Sequence, residues 1–106
     1  MDAGTVTTLD LAPERVQNLI RYAVELGMVV ELDERGNRYC WSVKSSQVLD
    51  CDRIWVFWDG PGPNGGRTGI KLYRPFARRQ PSRVTNRTFR EAWSWMRILS
   101  GKVLDR

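Results

Sequence analysis

The most constraining stretch of this sequence covers residues 53–75, RIWVFWDGPGPNGGRTGIKLYRP. Two runs rich in β-branched and aromatic residues, at positions 54–58 and 69–74, flank a connector dense in Gly and Pro. Such a connector can hold neither a helix nor a strand, whereas the flanking runs favour strands. The pattern predicts a β-hairpin with a long mobile loop over residues 59–69, and the rest of the chain must pack against it.

A second hairpin is predicted earlier in the chain. Residues 28–32 and 38–44 read as strands, and the segment between them, residues 33–37, contains the Gly and Asn that tight turns require. Because strands that are neighbours in sequence usually pair, the two hairpins together predict a four-stranded antiparallel meander.

Two amphipathic helices are predicted to enclose these strands. The first has Asp10 as its N-cap and Gly27 at its end, with apolar residues at helical spacing between them. The second begins at a capping box formed by Thr88 and Glu91 and ends at Gly101.

The order α-β-β-β-β-α predicts an α+β fold in a single domain over residues 1–106, with both helices packed on an antiparallel meander sheet. Residues 1–9 show no periodicity and are expected to form a flexible tail or a short edge strand. Residues 76–86, which contain Pro81 and several arginines, are expected to form an irregular basic connector.

Charge is distributed unevenly along the chain. The net charge is +5, but residues 1–36 carry −4, residues 37–74 carry +3 and residues 75–106 carry +6. Between positions 71 and 90 no acidic residue interrupts the basic ones, as expected for a segment that follows a phosphate backbone. The predicted contacts to nucleic acid or to an acidic partner are Arg67, Lys71, Arg74, Arg78, Arg79, Arg83, Arg87 and Arg90.

Aromatic residues supply a second functional signal, because the chain contains five tryptophans in 106 residues. Most are expected in the core, but alternation along residues 54–58 places some aromatic rings on the opposite face of the strand. Surplus apolar surface of this kind often marks an interface with a partner or with a second copy of the chain. The residues predicted to stack on bases or to form an interface are Trp55, Phe57, Tyr73, Phe76 and Trp95.

Several chemistries are disfavoured by the composition. The chain has no histidine, which removes the commonest general base, and its two cysteines cannot alone provide the four ligands of a structural zinc site. We therefore expect a non-catalytic protein without a metal or cofactor. The first residues lack the features of a signal peptide and no apolar run is long enough to cross a bilayer, so a cytoplasmic location away from membranes is expected.

Residues 21–43, RYAVELGMVVELDERGNRYCWSV, resemble the recognition helix and wing of a winged helix-turn-helix domain. The resemblance implies a DNA-binding helix followed by a β-hairpin wing, although a generic helix and hairpin would give the same pattern.

Two functions remain open at this point. The first is nucleic-acid binding through the Arg-rich segment. The second is a protein-interaction module, such as a phage or bacterial accessory factor, that modulates a host protein through its Trp-rich surface and basic rim.

Overall fold

The computed structural model describes residues 8–45, 51–61, 66–75 and 84–101. They form one antiparallel sheet of five strands, with a helix before it and a helix after it, which confirms the predicted α+β fold. The elements are α1 Glu14–Glu25, β1 Val29–Arg35, β2 Arg38–Lys44, β3 Arg53–Trp58, β4 Thr68–Tyr73, β5 Val84–Arg87 and α2 Phe89–Ser100.

The strands lie in the sheet in the order of the sequence, β1 to β5, so the predicted meander is confirmed. It has one strand more than predicted, because Val84–Arg87 pairs with β4 and Val84 faces Tyr73. The assignment of residues 84–86 to an irregular connector was therefore wrong. A four-residue strand is too short to show alternation, and its β-branched residues pair only because β4 offers a free edge. Residues 76–83 lie outside the described part of the chain.

The start of α1 also differs from the prediction. Its N-cap is Pro13, without a side-chain cap, whereas Asp10 forms an ion pair with Arg21 at 3.1 Å. Proline disfavours helical geometry in the residue before it, so residues 8–11 form a separate helical turn. Leu9, which the sequence analysis assigned to a flexible tail, is 1% exposed and belongs to the core.

The first hairpin closes more tightly than predicted. Arg35 faces Arg38 across a two-residue turn in which Gly36 has a φ of 62°. The first strand therefore continues to residue 35 instead of ending at residue 32, whereas the second strand has its predicted bounds. The turn packs closely against Gly60, where a Cβ atom would collide with the carbonyl oxygen of Asn37. Residues 21–43, which resemble a recognition helix and wing, thus lie in α1 and the first two strands of the sheet.

The core lies between the sheet and the two helices. The predicted apolar face of α1 is confirmed except at Val24, which is 41% exposed. No helix in the described part of the chain is long and apolar enough to cross a membrane. The helices contribute Val16, Leu19, Ile20, Ala23, Ala92 and Met96 to the core, and strands β2 to β4 contribute Trp41, Val43, Ile54, Val56, Trp58, Ile70 and Leu72.

The last helix begins and ends as predicted. The Thr88 hydroxyl accepts a hydrogen bond from the Glu91 amide, and the Glu91 carboxylate accepts one from the Thr88 amide. Gly101 ends the helix in the left-handed conformation, with a φ of 78°. Both capping signals therefore operate locally, as the sequence indicated.

Candidate functional site

One face of the sheet does not take part in the core. Because side chains alternate along a strand, the residues between the core positions point to the other side, where no described helix packs. We call this surface the open face. It is formed by Glu31, Asp33, Cys40, Ser42, Arg53, Trp55, Phe57, Gly69, Lys71 and Tyr73.

The open face carries a stacked aromatic pair. The ring centroids of Trp55 and Tyr73 are 5.2 Å apart and their planes differ by 22°. Trp55 faces Lys71 directly in the β3–β4 register, so Tyr73 is its diagonal neighbour, which long side chains reach readily. The Arg53 guanidinium lies 5.6 Å from the Tyr73 centroid on the same strand pair. An arginine and two rings are thus in contact along one line of the face.

A third ring and a second cation continue this arrangement. The ammonium of Lys71 lies 5.4 Å from the centroid of the Phe57 ring. Lys71 is exposed, and no carboxylate in the described ranges lies within ion-pair distance of it. The residue facing Phe57 on β4 is Gly69, where an added Cβ atom would meet nothing within 4 Å. Lys71 is therefore a cation available to an anionic partner.

A trough runs along the open face above β2. It encloses about 680 Å³ and has Cys40 and Ser42, two small residues of β2, in its floor. Trp55 and Phe57 form the wall on the β3 side. We call this space the trough. It is lined by Glu31, Leu32, Asp33, Arg35, Arg38, Tyr39, Cys40, Ser42, Arg53, Trp55, Phe57, Trp58, Asp59 and Lys71.

The charges on the β1 side of the trough are balanced. Glu31 forms an ion pair with Lys44 at 2.5 Å, and Asp33 forms one with Arg35 at 3.1 Å. Lys44 is 5% exposed, which is unusual for a lysine. Because a charge removed from water is costly unless it is paired, its ammonium group lies close to a carboxylate. The cationic character of the open face consequently lies on its β3–β4 side.

Cys40 lies in the trough floor between Asp33 of β1 and Phe57 of β3. Burial, together with the nearby charge of Asp33, raises the pKa of its thiol to about 11. The neutral thiol that results at physiological pH is a poor nucleophile and a poor metal ligand. Neither Cys40 nor Cys51 forms a disulfide, and the described residues contain no group of three or more His, Cys, Asp or Glu side chains that could hold a metal.

The structure separates the basic residues that the sequence presents as one run. Arg74 and Arg87 lie 5.1 and 5.8 Å from the centroid of the Trp95 ring, on the helix side of the sheet. Each is paired with a carboxylate at 3.3 Å, Arg74 with Asp52 and Arg87 with Glu91. Together with Trp95, a predicted interface residue, Arg74 and Arg87 therefore form a cluster that joins α2 to the sheet edge, which we call the Trp95 cluster.

The remaining predicted contacts fall into two groups. Arg90 is exposed on α2, and Arg67 is exposed just before β4, where its carbonyl oxygen accepts a hydrogen bond from the Asp59 amide. Of the predicted residues that the structure describes, only Trp55, Phe57, Lys71 and Tyr73 meet on the open face. Phe76, Arg78, Arg79 and Arg83 lie outside the described residues.

Arg53 is the site residue that the sequence analysis missed. It precedes Trp55 and Phe57 at the same two-residue spacing and therefore lies on the same face. The alternation that identified the two rings would have identified Arg53 if it had been followed one step towards the N-terminus. The chain gives no significant match to any protein-family model, curated protein or solved structure.

Proposed function

We propose that this protein binds single-stranded nucleic acid across the open face of its sheet. The observation that carries the proposal is the shared position of rings and cations: the stacked Trp55 and Tyr73 lie beside Arg53 and Lys71. Bases stack on aromatic rings whatever their sequence, and arginine and lysine bind the phosphates between them.

A single strand suits this surface better than a duplex. In a duplex the base faces are covered by their neighbours, so protein rings reach them only where the bases are unpaired. The rings of Trp55 and Phe57 border a trough rather than standing on a protruding element that could enter a groove. This supports binding through stacking, with no base sequence fixed by the rings themselves.

The charge of the protein supports the same proposal. Residues 37–106 carry an excess of nine positive charges, which attracts a polyanion from a distance. On the open face the carboxylates of Glu31 and Asp33 lie on the β1 side, so phosphates are favoured near Lys71 and Arg53. The backbone of the bound nucleic acid is thereby directed along β3 and β4.

The test is fluorescence anisotropy with short labelled DNA and RNA, as single strands and as duplexes, over a range of salt. We expect single strands to bind more tightly than duplexes. Lys71→Gln should weaken binding and reduce the slope of log affinity against log salt by about 0.7, the value for one lost phosphate contact to a single strand. Arg90→Gln, on the helix side of the protein, is the matched control and should leave that slope unchanged. Equal slopes for wild type and Lys71→Gln, or no binding at low salt, would refute the proposal.

A second candidate is a protein-interaction module, and one observation favours it. The rim of the trough carries both signs, with the Arg38–Asp59 pair at 3.9 Å beside the Arg35–Asp33 pair. Aromatic residues inside a polar rim are also typical of protein interfaces. A partner protein or a second copy bound there would give a complex that changes little with salt. Light scattering of the purified protein, compared at low and high salt, separates self-association from nucleic-acid binding.

A further inference from the structure

The trough beside Trp55 and Phe57 is the part of the open face that could enclose a ligand group. We infer that the trough above β2 is a slot for one unpaired base, held by a side chain on β2 as well as by the aromatic wall. This inference rests on the proposed function, because the occupant is a base of the bound strand.

The rings of Trp55 and Phe57 each have one face covered and one face free to contact a ligand. Tyr73 covers one face of the Trp55 ring, and Lys71 covers one face of the Phe57 ring, in both cases from the β4 side. The opposite ring faces therefore turn towards β2, where the trough lies. A base inserted there extends the stack of Tyr73 and Trp55 by one further ring.

The floor of the trough leaves room for that base. Ser42 faces Trp55 and Cys40 faces Phe57 in the β2–β3 register, and both are small. The enclosed volume of about 680 Å³ lies within the range of small-molecule sites, roughly 300–1,000 Å³. The site therefore accepts a planar heterocycle standing upright against the aromatic wall.

Ser42 provides a polar group in the floor. Its hydroxyl is buried and has no hydrogen-bond partner among the described residues, which is costly for a hydroxyl in a folded protein. An upright base directs one polar edge towards this floor, and a rotation about the Ser42 χ1 angle lets the hydroxyl donate to or accept from that edge. Cations on the rim, Arg53 and Lys71, then lie near the phosphates of the same nucleotide.

The experiment compares two bulky substitutions on either side of the aromatic wall. Ser42→Leu fills the trough, whereas Gly69→Val adds a side chain into open space on the far side of Phe57. Affinity for a short labelled single strand is measured by anisotropy, and folding is checked by circular dichroism. We expect Ser42→Leu to weaken binding about ten-fold or more, Ser42→Ala about two- to ten-fold, and Gly69→Val less than two-fold.

The outcomes separate this inference from the proposed function. If wild type binds and folded Ser42→Leu binds equally well, the slot is wrong while nucleic-acid binding stands. The slot is equally wrong if Gly69→Val loses affinity and Ser42→Leu keeps it, since the base then lies on the β4 side. If wild type binds no oligonucleotide, the proposed function fails and the slot fails with it.

A second measurement uses the unaltered protein in case Ser42→Leu does not fold. Cys40 lies in the floor, so an occupied trough shields its thiol from a maleimide. Mass spectrometry follows the modification of Cys40 and Cys51 separately at about pH 9, with and without a saturating single strand. We expect at least five-fold slower modification of Cys40 when the strand is bound. An unchanged rate for Cys40 in the bound protein would overturn the slot.

Discussion

The rings of Trp55 and Tyr73 are stacked at 5.2 Å on the face of the sheet that the helices leave open. Replacing the indole with a residue that suits a strand, Trp55→Thr, removes the ring without disturbing the β propensity of β3. We expect affinity for single strands to fall by about 1–3 kcal/mol, the value for one lost base–aromatic stack. Anisotropy titrations at constant salt measure the loss.

The matched control for this loss is Trp93→Leu. Trp93 is also half-buried and also contacts a tyrosine ring, that of Tyr22, with centroids 4.6 Å apart and planes tilted by 34°, but it lies in the helix layer. Its replacement should lower stability and leave affinity within two-fold of wild type. Comparable losses of affinity in both variants would show that the open face holds no special role.

The Trp95 cluster predicts that Arg87 stabilises the fold rather than binding the ligand. Arg87→Gln removes the ion pair with Glu91 and the contact with the Trp95 ring, so we expect a loss of about 1 kcal/mol in the free energy of unfolding. Affinity for nucleic acid should change less than two-fold. Urea denaturation and anisotropy on the same sample provide both numbers.

Arg90→Gln is the comparison for Arg87→Gln, because Arg90 is exposed on the same helix. Arg90 has no such partner within the described ranges, so its replacement should cost less than about 0.5 kcal/mol of unfolding free energy. If Arg87→Gln lowers affinity and not stability, the Arg-rich segment contacts the ligand as the sequence alone suggested.

Local signals in the sequence predicted most of the fold, as the α2 capping box and the alternation in β3 illustrate. Both depend on residues within a few positions of one another. The fifth strand could not be found in this way, since Val84 and Thr85 become a strand only through the neighbouring edge of β4. The start of α1 was misplaced because Asp10 is a good capping residue, whereas Pro13 decides where the helix begins.

The candidate site was harder to predict than the fold. Alternation placed Trp55 and Phe57 on one face correctly, but the partners of those rings depend on the β3–β4 register. Charge density alone grouped Lys71 with Arg74 and Arg87, although alternation and pairing send them to opposite sides of the sheet. A run of charges in a sequence indicates total charge and not a surface, because a strand distributes its residues over two faces.

The capping box of α2 is expected to contribute to the free energy of unfolding. Thr88→Ala removes the hydroxyl that accepts from the Glu91 amide, so we expect a loss of about 1 kcal/mol in unfolding free energy. Glu91→Gln keeps an oxygen that can accept from the Thr88 amide and should cost less at neutral pH. Thermal denaturation of both variants beside wild type measures the two losses.

The pH dependence of the same box follows from Glu91. Hydrogen bonds from the Thr88 amide, then from its side chain, and the Arg87 guanidinium lower the pKa of this carboxyl below its ordinary value of 4.5. A lowered pKa in the folded state stabilises the fold above pH 4.5, and this contribution is lost as the pH falls through the folded-state pKa. Glu91→Gln should therefore lose less stability than wild type between pH 5 and pH 2. Parallel acid profiles for the two proteins would contradict the assignment.

The buried ammonium of Lys44 predicts an asymmetric response to mutation at its ion pair. Glu31→Gln leaves a cation that is 5% exposed without its carboxylate, so we expect a loss of about 1–3 kcal/mol in unfolding free energy. Lys44→Met removes the charge and keeps the buried stem, which is expected to be nearly neutral. In the Lys44→Met background Glu31→Gln should cost almost nothing, and urea midpoints of the four proteins give the coupling.

Asp33→Asn breaks the neighbouring but exposed pair with Arg35 and should cost less than about 0.5 kcal/mol. Equal losses from Glu31→Gln in both backgrounds would show that Lys44 does not depend on this carboxylate.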